Sequence, residues 1–184
     1  MEPWEQIRLN AEIGARMLVA EYGDRLLGAA MLLCHDSNAA EDLVFRTFER
    51  AIEKIRLYDS SFPFWNWLYA ILLNYFRMDM RKRKAFVPES ESFVVDALEA
   101  GSCDSFSMQL AEADAAMIRA AVGRLPSPFR ETIVLRYFED KTLSEMSELM
   151  ETPVGTVKWR LHQARNELER MLSSLFTDRG GGTK

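Results

Sequence analysis

A chain of 184 residues that is 48% hydrophobic has room for one or two cored domains, and its net charge of −5 excludes binding of nucleic acid through bulk positive potential. Its longest apolar runs, 28–34 and 67–73, are too short to span a bilayer, and the N-terminus lacks the basic-then-apolar pattern of a secretion signal, so a cytoplasmic protein with no membrane insertion is expected. Cys34 and Cys103 stand far apart without a CxxC pair, and the only histidines are His35 and His162, which leaves no metal, cofactor or catalytic-triad constellation.

Taken in order, the chain opens with an amphipathic stretch over 4–9. A long helix over about 11–33 follows, its apolar stripe marked by Met17, Leu18, Tyr22, Leu26, Ala29 and Leu33. Asp36, Ser37 and Asn38 break it, and the capping-box spacing of Asn38 and Glu41 predicts a second helix over 39–56. That helix turns Leu43, Phe48, Ala51, Ile52 and Ile55 to a core. Its other side shows Glu41, Asp42, Phe45, Arg46 and Glu49, with Phe45 among the charges as a candidate partner contact.

Residues 57–63 (LYDSSFP) read as a loop, with Asp59, Ser60 and Ser61 as turn formers and Pro63 opening the next helix. The third helix, 64 to about 84, carries Phe64, Trp65, Trp67, Tyr69, Tyr75 and Phe76. A core helix accounts for some of these. However, Trp65, Trp67, Tyr69 and Phe76 do not share one face, so some are expected at the surface beside Arg77 and Arg81. Ring faces for bases and cations for phosphates are what single-stranded nucleic acid needs.

Charge then changes abruptly. Arg77, Arg81, Lys82, Arg83 and Lys84 are followed between 88 and 114 by seven acids and no base, which points to two domains joined by a linker. Residues 86–109, rich in Pro, Gly, Ser and acids, read as that flexible linker, with a short helix at 94–100. Helix resumes over 110–124. The Leu125-Pro126-Ser127-Pro128 step starts another over 129–138, Ser127 capping and Pro128 at its first position, with Phe129, Ile133, Val134 and Tyr137 or Phe138 buried.

The last two helices are the most explicit part of the sequence. Thr142 and Glu145 form a capping box for a short helix over 143–150. Thr152 caps a second helix with Pro153 at its first position, so only a tight turn at Glu151 separates the two. In the second helix Val154, Val157, Leu161, Ala164, Leu168 and Met171 make one apolar stripe. The opposite face presents Thr152, Gly155, Thr156, Trp159, His162 and Gln163, flanked by Lys158 and Arg160. A short helix followed by one with such a face is the geometry of a helix-turn-helix entering a DNA major groove, although a solvated face on a helical hairpin has the same periodicity. No strand signal competes, so the fold class is all-α: a three-helix bundle, a linker and a four-helix unit.

Three segments, AAEDLVFRTFERA (39–51), FWNWLYAILLNYFRMDMRKRK (64–84) and RLPSPFRETIVLRYFEDKTLSEMSELMETPVGTVKWRLHQARNELERML (124–172), stand in the order and separation of the extracytoplasmic function (ECF) sigma factors. The chain resembles that bacterial group, the smallest members of the sigma-70 family, over roughly residues 18–172. The resemblance implies sigma domain 2 at 10–86, an acidic linker at 87–110, sigma domain 4 at 111–174 and a tail at 175–184. It implies core RNA polymerase and promoter DNA as partners, an anti-sigma factor as a further partner, and no enzymatic activity. Glu41, Asp42, Phe45, Arg46 and Glu49 would contact the clamp helices of the largest polymerase subunit. Tyr58, Asp59, Ser60, Ser61, Phe62, Trp65 and Trp67 would capture a flipped base of the −10 element, and Asn74, Arg77 and Arg81 would hold the non-template strand and the duplex edge. Thr152, Gly155, Thr156, Lys158, Trp159, Arg160, His162 and Gln163 would meet the −35 element, while helix 129–138 would help bind the flap of the second-largest subunit.

The sequence departs from the family pattern in places. Phe45 and Arg46 stand where an amide and an acid are usual, Met78 where an acid often follows Asn74 by four residues, Trp159 where a small residue is usual, and Gln163 where Arg is usual. Gln pairs best with adenine and Arg with guanine, so a −35 element less dependent on guanine at the base facing Gln163 is expected. Two other readings of the residues stay open: an autonomous helix-turn-helix regulator, for which the aromatic third helix has no task, and a helical adaptor that does not read DNA.

Overall fold

The computed structural model describes residues 2–86 and 110–180, with side chains placed over 2–83 and 115–173. The acidic linker, including the helix expected at 94–100, lies outside the described residues, as do the last four residues of the tail. All regular structure among the described residues is helical, and the chain divides into two compact units, Met1–Phe86 and Val87–Lys184.

In the first unit, α1 (Pro3–Leu9) is closed by a capping box between Glu2 and Glu5 and packs on α2 (Ala11–Cys34). The approach is close because Gly14 has no side chain. A Cβ there would lie 2.3 Å from the Ile7 backbone nitrogen and 2.5 Å from its Cα. Helix α2 ends where His35 takes a left-handed conformation (φ 57°) and returns its N–H to Met31. The next helix, α3 (Ser37–Lys54), is capped by Asp36, whose carboxylate accepts the Ala39 N–H at 2.7 Å. Asn38, the expected cap, lies inside the helix. Asp36 takes the role because it holds the extended backbone a cap requires (φ −145°, ψ 128°). The last turn tightens into a 3-10 segment, Ile55–Leu57, before the loop that leads to α4 (Phe64–Phe86).

The core of this unit is made by Leu18, Leu26, Leu33, Leu43, Phe48, Leu68, Leu72, Leu73 and Phe76. It also takes in most of the α4 aromatics, contrary to the sequence expectation. Trp65 is 7% exposed and Tyr69 fully buried. Trp65 stacks on Tyr22 of α2 (6.1 Å, 15°) and lies under the Arg25 guanidinium at 3.9 Å. Counting faces on α4 alone overestimates exposure, because α2 covers one flank and α3 another.

In the second unit, α5 (Leu110–Gly123) leads to α6 (Ser127–Ile133). Pro126, with Ser127 at the first helical position, holds the cap of α6, so the expected Ser127 cap is displaced by one residue. The buried Arg130 guanidinium instead reaches back to the Leu125 carbonyl, 2.9 and 3.2 Å from Nη2 and Nε. Helix α6 widens into a π-turn, Val134–Phe138, closed by Glu139 N–H to Val134 O and by Arg136 Nη1 to Lys141 O, with Asp140 left-handed at φ 49°. The wider turn carries Leu135 into the core and leaves Tyr137 and Phe138 exposed, where burial of one of them was expected.

Helix α7 (Leu143–Leu149) begins at the Thr142–Glu145 capping box, present as read from the sequence. Helix α8 runs Val154–Gly180, into the stretch 175–184 expected as a tail. Val157, Leu161 and Ala164 of α8 close the core with Val122, Leu125, Ile133, Val134 and Met146. Val154, expected in that stripe, is 38% exposed in the first turn of the helix, ahead of the buried stretch.

Candidate nucleic-acid and polymerase interfaces

The loop between α3 and α4 is held from three directions. Asp59 accepts the Ser61 N–H at 2.9 Å, and this bond with the Ser61 hydroxyl holds the exposed carboxyl below its ordinary value. The Phe62 N–H returns to the Asp59 carbonyl. The Tyr58 phenol, buried among Trp4, Phe64 and Trp67, donates to the Phe62 carbonyl at 2.6 Å, and its burial raises its pKa. From α1, Arg8 Nη2 donates to the Tyr58 carbonyl at 3.0 Å and to the Ile55 carbonyl at 3.4 Å.

This corrects two assignments. Tyr58 and Trp65, expected as base-stacking surfaces, are core residues. The exposed residues of the loop are Asp59, Ser60, Ser61, Phe62 and Pro63, with Phe62 62% exposed. Along α4 the steps 67, 70, 74, 77 and 81 fall on one stripe, which joins half-buried Trp67 to exposed Asn74 and to Arg77 and Arg81. An apolar loop tip, a half-covered indole and a row of polar and cationic groups can receive an unstacked base and the backbone beside it.

On α3, Glu41, Asp42, Phe45 and Glu49 are exposed, and Phe45 at 64% stands between acids. Arg46 does not join them. Its Nη1 and Nη2 donate to Asp79 of α4 at 3.2 and 2.5 Å, and its Nε lies 2.9 Å from Asp42. The Asp79 contact raises the Arg46 pKa. The exposed residues of this group are therefore acidic and apolar, with Arg46 turned toward α4.

In the second unit, the turn between α7 and α8 is closed by the Ser147 hydroxyl to Thr152 O (2.7 Å) and the Thr152 N–H to Ser147 O (3.0 Å), with Glu151 left-handed at φ 48°. Thr152 donates its hydroxyl to the Met150 carbonyl at 2.9 Å. Pro153, expected one position later, supplies the first helical acceptor, to Val157 N–H at 3.1 Å. The side of α8 away from the core carries exposed Gly155, Lys158, Trp159 and His162, with Thr156, Arg160 and Gln163 half-covered. His162 Nε2 and Asn166 Nδ2 are 3.2 Å apart. Two neighbours were not visible in the sequence: Phe129 of α6 meets the Trp159 ring edge-on at 6.0 Å, and Tyr137 of the π-turn accepts from Arg165 Nε at 2.6 Å. Neither contact has a periodic signal, since each depends on how α6 crosses α8.

Residues 18–86 match the sigma-70 region 2 family model, and residues 115–168 match sigma-70 region 4. The RNA polymerase sigma-H factor of Pseudomonas aeruginosa is 26% identical over 182 residues, 95% of this chain and 94% of that protein. The ECF RNA polymerase sigma factor SigW of Bacillus subtilis is 30% identical over 184 residues, 93% of this chain and 95% of that protein. Among solved structures, the sigma factor RpoE of Bartonella quintana, in complex with the anti-sigma factor NepR, matches with a TM-score of 0.65 at 25% identity, over 86% of this chain and 96% of that one. No helix among the described residues is long and apolar enough to cross a membrane. A region 2 unit and a region 4 unit in this order, with relatives aligned along nearly their whole length, place the chain in the sigma-70 family, as an ECF sigma factor that binds core RNA polymerase and directs transcription initiation.

Proposed function

We propose that the two units divide promoter recognition in a cytoplasmic holoenzyme as follows. Helix α8 lies in the major groove of the −35 element, led by Gly155, Thr156, Lys158, Trp159, His162 and Gln163, with Thr152 and Arg160 at its edges. The loop Asp59–Phe62 receives a base flipped out of the −10 element. Trp67, Asn74, Arg77 and Arg81 hold the strand beside it. Glu41, Asp42, Phe45 and Glu49 of α3 dock on the polymerase clamp. The factor carries out no catalytic step of its own; it binds and positions DNA for the polymerase.

The observation that carries this reading is the loop at 58–63, braced by Tyr58 and Arg8 so that Phe62 projects into solvent. Unpairing and unstacking a base costs a few kcal/mol, and stacking it on an aromatic face recovers about 1–3 kcal/mol. A preformed loop avoids part of the ordering cost at that step. The negative overall charge is compatible with this, since the polymerase supplies most of the phosphate attraction. An anti-sigma factor that covers α3 or α8 would keep the chain inactive.

The test is run-off transcription from a genomic fragment pool with core polymerase and the purified chain, with the 5′ ends mapped. Transcripts sharing a −35/−10 pair are expected. A stable complex with core that yields no specific transcript would remove the promoter reading. Tight duplex binding with no affinity for core would favour an autonomous regulator.

A further inference from the structure

Trp159 is the largest exposed side chain on the outer face of α8, 56% exposed, and it has one aromatic neighbour. The Phe129 ring of α6 props it edge-on at 6.0 Å with the planes at 65°. One turn earlier on the same face is Gly155, where a Cβ would find nothing within 4 Å. The outer face thus steps from bare backbone to an exposed indole that rests edge-on against Phe129, with exposed Lys158 beside it and exposed His162 one turn beyond.

An indole offers one N–H donor and a broad apolar surface. It is poorly equipped to read a base edge through paired hydrogen bonds. In the major groove the one apolar mark on a base pair is the C5-methyl group of thymine. We propose that Trp159 selects thymine in the −35 element by covering that methyl, and that Phe129 holds the ring in place for it. The inference rests on α8 being the recognition helix. It assigns one position of the element to an A·T pair read by apolar contact with the indole.

The experiment uses the holoenzyme on a promoter recovered from the run-off pool. Each thymine of the −35 region, on either strand in turn, is replaced by deoxyuridine, which removes the methyl and nothing else, and affinity is measured in competition. One position, or two adjacent ones, should lose about four-fold, the worth of one buried methyl at about 0.8 kcal/mol. In Trp159→Ala the ratio of thymine to deoxyuridine affinity at that position should fall to one. Trp159→Phe, which keeps a ring at this exposed site, should retain part of the ratio. Phe129→Leu should lower the ratio without abolishing it.

If no deoxyuridine position matters while a scrambled −35 element still abolishes binding, α8 reads the element and Trp159 does not read methyls. The same conclusion follows if the sensitivity persists in Trp159→Ala, or if the selected elements hold only G·C pairs. Indifference to scrambling would instead overturn the assignment of α8 itself.

Discussion

The guanidinium of Arg46 in α3 lies end-on to the carboxylate of Asp79 in α4, each of its terminal nitrogens donating to one carboxylate oxygen. Their side chains are 25% and 30% exposed, so the pair is partly shielded from water. It ties the helix that presents the exposed acids Glu41, Asp42 and Glu49 to the helix that carries Asn74, Arg77 and Arg81. Removing one partner leaves the other half-desolvated. Arg46→Ala is therefore expected to cost about 1–3 kcal/mol of stability. A double-mutant cycle with Asp79→Ala, followed by denaturant unfolding, should return a favourable coupling between the two; additive costs would show that they act independently.

Arg8 gives a second, more local prediction. Arg8→Met keeps the stem of the side chain but removes the donors to the Ile55 and Tyr58 carbonyls. The expected loss is about 1 kcal/mol, at the low end for a charged donor because the guanidinium is partly in water. Promoter melting, read by permanganate reactivity of unpaired thymines, should fall more than binding to core polymerase does. Equal loss of both would mean that α1 supports the whole unit and not the loop in particular.

The capping box of α7 predicts a pH dependence. The Glu145 carboxylate accepts the Thr142 N–H at 2.8 Å and the Thr142 hydroxyl at 2.7 Å, and these bonds hold its pKa below the ordinary glutamate value. A carboxyl lowered in the folded state is stabilising above its unfolded pKa and loses that contribution as pH falls through the folded value. The stability advantage of the natural chain over Glu145→Gln should therefore be full at neutral pH and shrink in the acid range. Thr142→Ala, which removes the cap at all pH values, should cost about 1 kcal/mol. Thermal melts across a pH series measure both.

Gln163 sits half-covered beside the exposed face of α8. Changing Gln163→Arg should shift the preferred base opposite it from adenine toward guanine, by about 1–3 kcal/mol of discrimination. A promoter-variant panel scored by run-off product reads this directly. Unchanged preference would place residue 163 outside the groove.

The parts of this structure legible in the sequence were those written in local rules. The Thr142–Glu145 box, the 11–33 helix and the stripe Val157–Leu161–Ala164 follow from hydrogen-bond chemistry and a 3.6-residue period, and all are present. What the period could not show was how many neighbours a helix has. Trp65 reads as surplus on one helix and is buried because Tyr22 and Arg25 of α2 cover it. Tyr137 and Phe138 were misplaced because a π-turn resets the register, and no single residue announces it. Arg46 was read as a surface charge, since its partner Asp79 is distant in sequence. The same non-local cause hid Arg8 and Phe129 from the candidate sites.

Gly14 has no functional group and lies outside the loop. Yet any side chain there must push against the Ile7 backbone, which cannot yield as a flexible side chain would, and α1 carries Arg8 one residue on. In a genetic selection for defective promoter opening, Gly14 should therefore be recovered together with the loop residues, with alanine already sufficient to produce the phenotype. Such an allele would mark a site of inheritance for the melting defect that no chemical inspection of the side chains proposed to face DNA would nominate.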